Sequence, residues 1–377
     1  MSHLLAETTL QARATLRSAS GRRLAAARRR PSWRARMKKL LNTLYVTTDG
    51  AWLRKEGANV VVEMDGAERG RAPVHLLGSI VTFGAIGLSP ALIGFCAEEG
   101  VAISLMSRSG RFLARVEGPQ GGNVLLRRAQ HEATRDAPLA VARAVVAAKS
   151  ANQRGVLRRH LRDHAGDDTV ADTAVDDAER RLSDTARKAL DAPDLDKLRG
   201  LEGEGANAYF GVFDHLIRAP EMAFVGRSRR PPKSRPNAVL SFLYSLLVQD
   251  CRAAAEGVGL DPQMGFLHRD RPGRPSLALD LMEEFRAPLA DRLCLTLLNR
   301  RQLAVADFRE DGAGGVFLTD DGRRTVLTTW QERKRVRVKH PFLHEDVEIG
   351  LLPHLQAQLL ARHLRGDLDG YPAYVWR

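Results

Sequence analysis

Gly265-Phe-Leu-His-Arg-Asp-Arg-Pro-Gly-Arg-Pro-Ser-Leu-Ala-Leu-Asp-Leu-Met-Glu-Glu-Phe-Arg286 is the stretch around which the rest of the chain can be read. A short apolar run ends at His268, a basic turn follows through Pro272, Gly273 and Pro275, and from Leu277 the apolar residues recur at helical spacing. On a helix turning about 100° per residue, Glu283 lies about 60° to one side of Asp280 and Glu284 about 40° to the other, while Leu277, Leu281 and Phe285 can face inward. Three like charges on one helical face repel unless something positive neutralises them, and a divalent cation with a histidine and hard oxygen ligands would do so. The stretch therefore predicts a helix and a metal site on it that needs one more carboxylate.

Upstream, the periodicity is different. From residue 37 to residue 118 short β-prone runs alternate with tight turns such as Thr48-Asp49-Gly50 and Asp65-Gly66, and one helix is signalled by Ser89-Pro90. This reads as a small β domain, a meander with one embedded helix. Gly84, Gly87 and Gly94 lack a phosphate-loop spacing. Residues 119–123 read as a linker, and 124–377 as a larger domain of alanine-rich and amphipathic helices, with a hairpin expected over 308–328 around Asp320-Asp321-Gly322. The fold class expected is α+β.

Charge narrows the choice of partner. Lys and Arg outnumber Asp and Glu 58 to 45, a net +13 that favours a polyanion, nucleic acid before membrane. Residues 1–36 carry nine arginines against Glu7 alone, so +8 of the +13 lies in a stretch expected to be a disordered tail or an upstream start. Cys96, Cys251 and Cys294 have no disulfide or zinc spacing and fit a reducing cytoplasm. The charge-free run 72–97 contains four glycines, Pro73 and Pro90, which argues against a membrane span.

The missing carboxylate is sought in Leu198-Arg-Gly-Leu-Glu-Gly-Glu-Gly-Ala-Asn-Ala-Tyr-Phe210. Glycines at what reads as a helix start suggest close approach of another backbone or a ligand, and Glu202 shares its face with Tyr209 at i+7. Nucleic-acid contacts are expected from Lys149 and Asn152 on one helix turn, and from the proline-interrupted basic loop holding Arg227, Arg229, Arg230, Lys233 and Arg235. Arg269 and Arg286, within the Gly265–Arg286 stretch, complete the expected DNA-binding set.

Three blocks, Arg199-Gly-Leu-Glu-Gly203 through Tyr209-Phe210, Gly265-Phe-Leu-His268 and Leu279-Asp-Leu-Met-Glu-Glu-Phe-Arg286, resemble in order and separation those of the CRISPR-associated protein one family, the integrase of spacer acquisition. The start at Met37, the segment Leu298–Leu303, Gln331–Lys334 and the closing Tyr-Pro-aromatic-Trp pattern look like its subtype I-C branch. The resemblance implies a homodimer with an N-terminal β domain and a helical catalytic domain holding Mg²⁺ or Mn²⁺ on Glu202, His268 and Glu283, with Asp280 and Tyr209 in support. It also implies double-stranded DNA as substrate, CRISPR-associated protein two as partner and CRISPR-associated protein four as a further one. The reaction implied is attack of a spacer 3′-hydroxyl on a phosphodiester at a repeat end. A metal-dependent nuclease or branch resolvase that does not integrate, and a non-enzymatic nucleic-acid-binding protein, are the competing readings.

Overall fold

Strand β5 (Leu77–Phe83) sits at the centre of the N-terminal region, and its near-continuous apolar run Leu-Gly-Ser-Ile-Val-Thr-Phe reads as a strand covered on both faces. The computed structural model describes residues 42–108, 110–116, 118, 124–164 and 169–376. The expected tail 1–36, the start at Met37 and the linker 119–123 lie outside the described residues.

Two four-stranded sheets form this region. β2 (Trp52–Glu56), β3 (Asn59–Met64) and β4 (Ala67–Pro73) are an antiparallel meander, and β6 (Gly87–Leu88) adds to β2 in parallel. The second sheet has the order β1 (Asn42–Val46), β5, β7 (Ala102–Met106), β8 (Phe112–Val116). Here the expectation of a simple meander is corrected, because β1–β5 and β5–β7 are parallel pairs. Parallel strands need a crossover, and helix α1 (Pro90–Glu98) supplies the one between β5 and β7. Its start follows the sequence signal: Ser89 accepts from Leu92 N at 3.2 Å, and Pro90 occupies the first turn.

The period of two divides the second sheet between two cores. Ile80 and Ile103 join Leu53, Val60 and Leu92 in a core between the sheets, whereas Val81, Phe83 and Met106 join the larger helical core, where the Phe83 ring lies 5.5 Å from that of Phe242.

The helices are α2 (Val124–Asp136), α3 (Leu139–His164), α4 (Thr169–Leu190), α5 (Leu195–Gly211), α6 (Arg235–Val258), α7 (Ser276–Glu283), α8 (Arg292–Asn299), α9 (Asp320–Lys334) and α10 (Leu352–Leu364). α6 is long and apolar enough to cross a membrane, but its apolar window is 61% buried in the core. The 72–97 run is divided among β4, a 3₁₀ turn, β5, β6 and α1. The hairpin expected around Asp320 is shorter and earlier: β9 (Phe308–Glu310) pairs with β10 (Val316–Leu318) across 311–315. Asp320 and Asp321 instead open α9, where Thr319 caps Gly322 N and acids in the first turn suit the helix dipole. β11 (Arg337–Lys339) and β12 (Asp346–Glu348) form one more small antiparallel pair.

Candidate metal centre

α5 begins at Leu195, capped by Asp194, whose carboxylate accepts from Lys197 N at 2.7 Å. Glu202 therefore lies well inside the helix and not at its start. Of the glycines around it, Gly205 has a packing reason: a Cβ there would stand 3.2 Å from Thr185 Cγ2 of α4 and 3.6 Å from Ser150 Oγ of α3. Gly200 and Gly203 face open space. Tyr209 is fully buried, with its ring centroid 5.1 Å from Phe210 and 5.6 Å from Phe213, so it anchors α5 in the core.

The loop ahead of α7 folds back onto that helix. Asp280, itself buried, gathers it: Oδ2 accepts from Phe266 N (2.6 Å) and Leu267 N (3.0 Å), and Oδ1 accepts from His268 N (3.1 Å) and lies 2.6 Å from His268 Nδ1. Gly265 permits this closeness, since a Cβ there would meet Ser276 Cβ at 2.7 Å and Asp280 Oδ2 at 2.8 Å. An ionised carboxylate only accepts, so the Asp280 contact places the proton on Nδ1 and leaves the Nε2 lone pair free. That Nε2 is 3.8 Å from Glu283 Oε1. Arg199 of α5 donates to Leu267 O at 2.9 Å, tying the helix of Glu202 to the loop of His268.

Lys149 lies among these groups. Its Nζ contacts Glu202 Oε1 and stands 2.9 Å from Glu283 Oε2, with only 5% of its side chain exposed. Arg286 Nη2 lies 3.1 Å from Glu283 Oε1, and its guanidinium is stacked 4.9 Å from the Tyr244 ring centre. Burial alone would raise the Glu283 carboxyl, but Arg286, Lys149 and His268 outweigh it and hold it down to about 2. Two carboxylates and an imidazole nitrogen are a suitable donor set for a divalent cation. Among the described residues no three His, Cys, Asp or Glu side chains are gathered closely enough to hold an ion as they stand. The Lys149 ammonium supplies the positive charge between Glu202 and Glu283, so a cation shared by these two acids requires that side chain to move.

Glu284 has a different task. After α7 the backbone widens into a π-helical turn, Arg286–Asp291, that contains Pro288. Proline four residues on has no N–H for the Glu284 carbonyl, and Asn152 of α3 replaces it, its Nδ2 donating to Glu284 O at 2.7 Å. The Asn152 amide also donates to Tyr374 O (2.9 Å) and accepts from Trp376 N (2.7 Å). The Glu284 carboxylate accepts from Tyr371 Oη (2.5 Å), Tyr374 N (2.6 Å) and Gln356 Nε2 (2.9 Å), and burial nevertheless raises it to about 7. Glu284 and Asn152 thus fasten the aromatic tail beneath the site.

These contacts revise the expected DNA-binding set. Asn152 is completely buried and its amide is taken up by backbone groups, so it is not available to a phosphate. Lys149 and Arg286 belong to the acidic cluster. Arg227 is half-buried, donating to Asn237 Oδ1 at 2.8 Å, and Arg235 donates to Glu221 O at 2.8 Å. Arg229, Arg230 and Lys233 are exposed, and Arg269 is exposed with Asp196 at 2.9 Å. Sequence reading missed Arg199 and Gln356 as organisers. Pro288, four residues beyond Glu284, was the available sign that the helix needed an outside donor.

The family model described as CRISPR associated protein Cas1 matches residues 44–332. A CRISPR-associated endonuclease Cas1 2 of Rhodospirillum rubrum is 58% identical over 345 residues, covering 90% of this chain and 100% of that protein. A CRISPR-associated exonuclease Cas4/endonuclease Cas1 fusion of Geobacter sulfurreducens is 35% identical over 341 residues, covering 89% of this chain and 60% of the fusion. The solved structure of a casposase bound to integration product shares the fold, with a TM-score of 0.77 and 22% identity, covering 89% of this chain and 94% of the other.

Proposed function

This chain belongs to the Cas1 family of CRISPR-associated proteins, whose curated relatives are named endonucleases, and from that premise we propose that it is a metal-dependent DNA endonuclease and integrase of spacer acquisition. The observation that carries the proposal is the convergence of Glu202, His268 and Glu283 from α5, the Asp280-anchored loop and α7, joined through Lys149 and the His268–Glu283 approach of 3.8 Å. Glu202, His268 and Glu283 would hold a divalent cation, Mg²⁺ or Mn²⁺, and the chemistry supplied there is polarisation of a phosphodiester and stabilisation of its developing charge.

The chain's own groups prepare that chemistry. Asp280 holds His268 in the tautomer whose Nε2 can donate a lone pair. Arg286 keeps Glu283 ionised and places a second positive charge beside the acidic cluster. Lys149 places one positive charge between the two glutamates in their present arrangement. In the proposed reaction a DNA 3′-hydroxyl forms a new bond to phosphorus while the repeat strand's bond to that phosphorus breaks, so no nucleoside triphosphate is consumed.

The aromatic close Tyr371-Pro-Ala-Tyr374-Val-Trp376 and the Gln331–Lys334 segment support membership of the subtype I-C branch. On this reading the chain acts in the cytoplasm as a homodimer on double-stranded DNA, with the CRISPR-associated proteins two and four as partners. The Cas4/Cas1 fusion supports the last of these. The β region up to residue 118 and the helical region from 124 would act as its two domains.

The test is strand transfer of a short duplex into a supercoiled repeat-bearing plasmid, with the partner protein two and Mn²⁺ present. Glu202→Ala, His268→Ala and Glu283→Ala should each abolish transfer while retaining the wild-type circular dichroism spectrum. Full transfer by the three folded variants would refute the reading, and cutting without joining by the wild type would make the protein a nuclease only.

A further inference from the structure

Away from the acidic cluster, α8 and α9 flank a half-open cavity of about 200 Å³ whose lining includes Arg292, Leu293, Thr296, Thr329, Glu332 and Arg333. Its threonine hydroxyls are committed to their own helices: Thr296 Oγ1 donates to Arg292 O at 2.8 Å and Thr329 Oγ1 to Thr325 O at 2.9 Å. The guanidinium groups are therefore the cavity's donors. Arg292 stacks on the Trp376 ring, with its guanidinium carbon 4.1 Å from the ring centre, a contact that uses the face of the fork and leaves its N–H edge free to bond.

Glu332 lines the same cavity but forms no ion pair with either arginine. Among the described residues neither Arg292 nor Arg333 has an ion-pair partner. Asp163, the carboxylate whose charge reaches Arg292, is engaged by Arg159 at 3.1 Å and Arg162 at 3.3 Å, and Glu332 is exposed. Burial is the larger cause, and mutual repulsion among Arg159, Arg292 and Arg333 the next, that holds Arg292 down to about 10 and Arg333 below its ordinary value. Half-buried like charges facing one space are costly until an anion joins them.

We propose that the Arg292–Arg333 cavity is a subsite for a backbone phosphate of nucleic acid, flanked by Arg159. It rests on the integrase reading for its ligand class. Arg159 follows Lys149 by ten residues on α3, about 15 Å along the axis. That is roughly four base-pair rises of a duplex, so a strand reacting at the acidic cluster could also reach this cavity. Contacts to a backbone phosphate carry no base information, so binding at this subsite should be independent of sequence.

The experiment measures duplex-DNA binding by fluorescence anisotropy with the full chain, in EDTA, between 50 and 300 mM salt. The double variant Arg292→Gln/Arg333→Gln should weaken binding several-fold at low salt for unrelated sequences and reduce the slope of log K against log salt by about 1 to 2. Arg292→Lys/Arg333→Lys, which keeps both charges and much of the packing, should restore the slope. The other source of an oxyanion is a carboxylate of the chain itself, Glu332 or one beyond Trp376. In that case the glutamine variant would melt at a lower temperature without DNA and bind DNA with an unchanged slope, which would overturn the proposal. Because the binding measurement contains no metal, reactivity does not enter its readout: unchanged binding by the glutamine variant would remove this subsite alone, whereas a wild-type chain with no affinity for DNA would remove the integrase reading with it.

Discussion

Asn152 donates to the carbonyl of Glu284 at 2.7 Å, in place of the backbone amide that Pro288 lacks. The proline and the asparagine are far apart in sequence, yet one creates the unsatisfied acceptor and the other fills it. The same side chain bonds Tyr374 and Trp376, so the helix that carries Glu283, the long helix α3 and the aromatic tail meet at one amide. Asn152→Ala should therefore destabilise the chain by about 1–3 kcal/mol, the range for a buried polar group left unpaired. Urea unfolding would measure it. Tail cleavage near Tyr371 by limited proteolysis should accelerate as well; an unchanged midpoint and cleavage rate would refute the account.

Lys149 lies between Glu202 and Glu283, where the proposed cation would sit. Lys149→Met leaves two acids facing one another, and in EDTA it should lower stability by about 3 kcal/mol, the scale of a buried pair broken on one side. Mn²⁺ should recover most of that loss, and should bind the variant more tightly than the wild type because no side chain competes for the glutamates. Calorimetric titration reads the affinity; equal affinity in both proteins would mean that Lys149 does not share the cation's place.

Asp280 accepts from three backbone amides and from His268, so its oxygens are committed to positioning. Asp280→Asn can present an N–H to Nδ1 and favour the wrong imidazole tautomer. Mn²⁺ affinity should fall about 10- to 100-fold, as for other partners of a ligating histidine. A histidine NMR correlation spectrum would report the tautomer directly, and retention of the Nδ1–H form with undiminished affinity would contradict the assignment.

Asp291 gives a pH dependence. Burial is the largest influence on it and raises it from 3.8 to about 6, although Tyr244 donates to Oδ1 at 2.6 Å and Arg286 and Arg227 pull the other way. The folded carboxyl binds its proton more tightly than the unfolded one, so this residue adds stability as pH falls through 6 toward 4 and withdraws it as pH rises. The full excursion is on the order of 3 kcal/mol. Asp291→Asn keeps an acceptor for Tyr244 and cannot titrate. The variant should gain on the wild type between pH 4.5 and 7.5 in urea midpoint; a constant difference across that window would assign the pH dependence elsewhere.

Legibility differed between local pattern and distant contact. Ser89-Pro90 was sufficient to start α1, and the bounds of α3 follow from its periodicity, because capping and amphipathicity act over one or two turns. The hairpin at 311–315 was misplaced by an Asp-Asp-Gly that serves a helix start as well as a turn, and parallel pairing of β1, β5 and β7 was missed because a strand's local composition does not name its neighbour.

Gly265–Arg286 shows the same division. Sequence alone determined that a histidine and three acids lie on one helix, its end and the loop before it, that Leu277, Leu281 and Phe285 face the core, and through the three-block resemblance which residues to consider as ligands. Tertiary structure decided how the acids differ. Asp280 is saturated by the loop it gathers, Glu283 meets Lys149 and Arg286, and Glu284 turns into the tail. Helical spacing fixes which residues share a face within one segment, but the charge and hydrogen bonds that distinguish neighbouring carboxylates come from α3, α5 and residues 371–376, segments brought there only by the packing of the core.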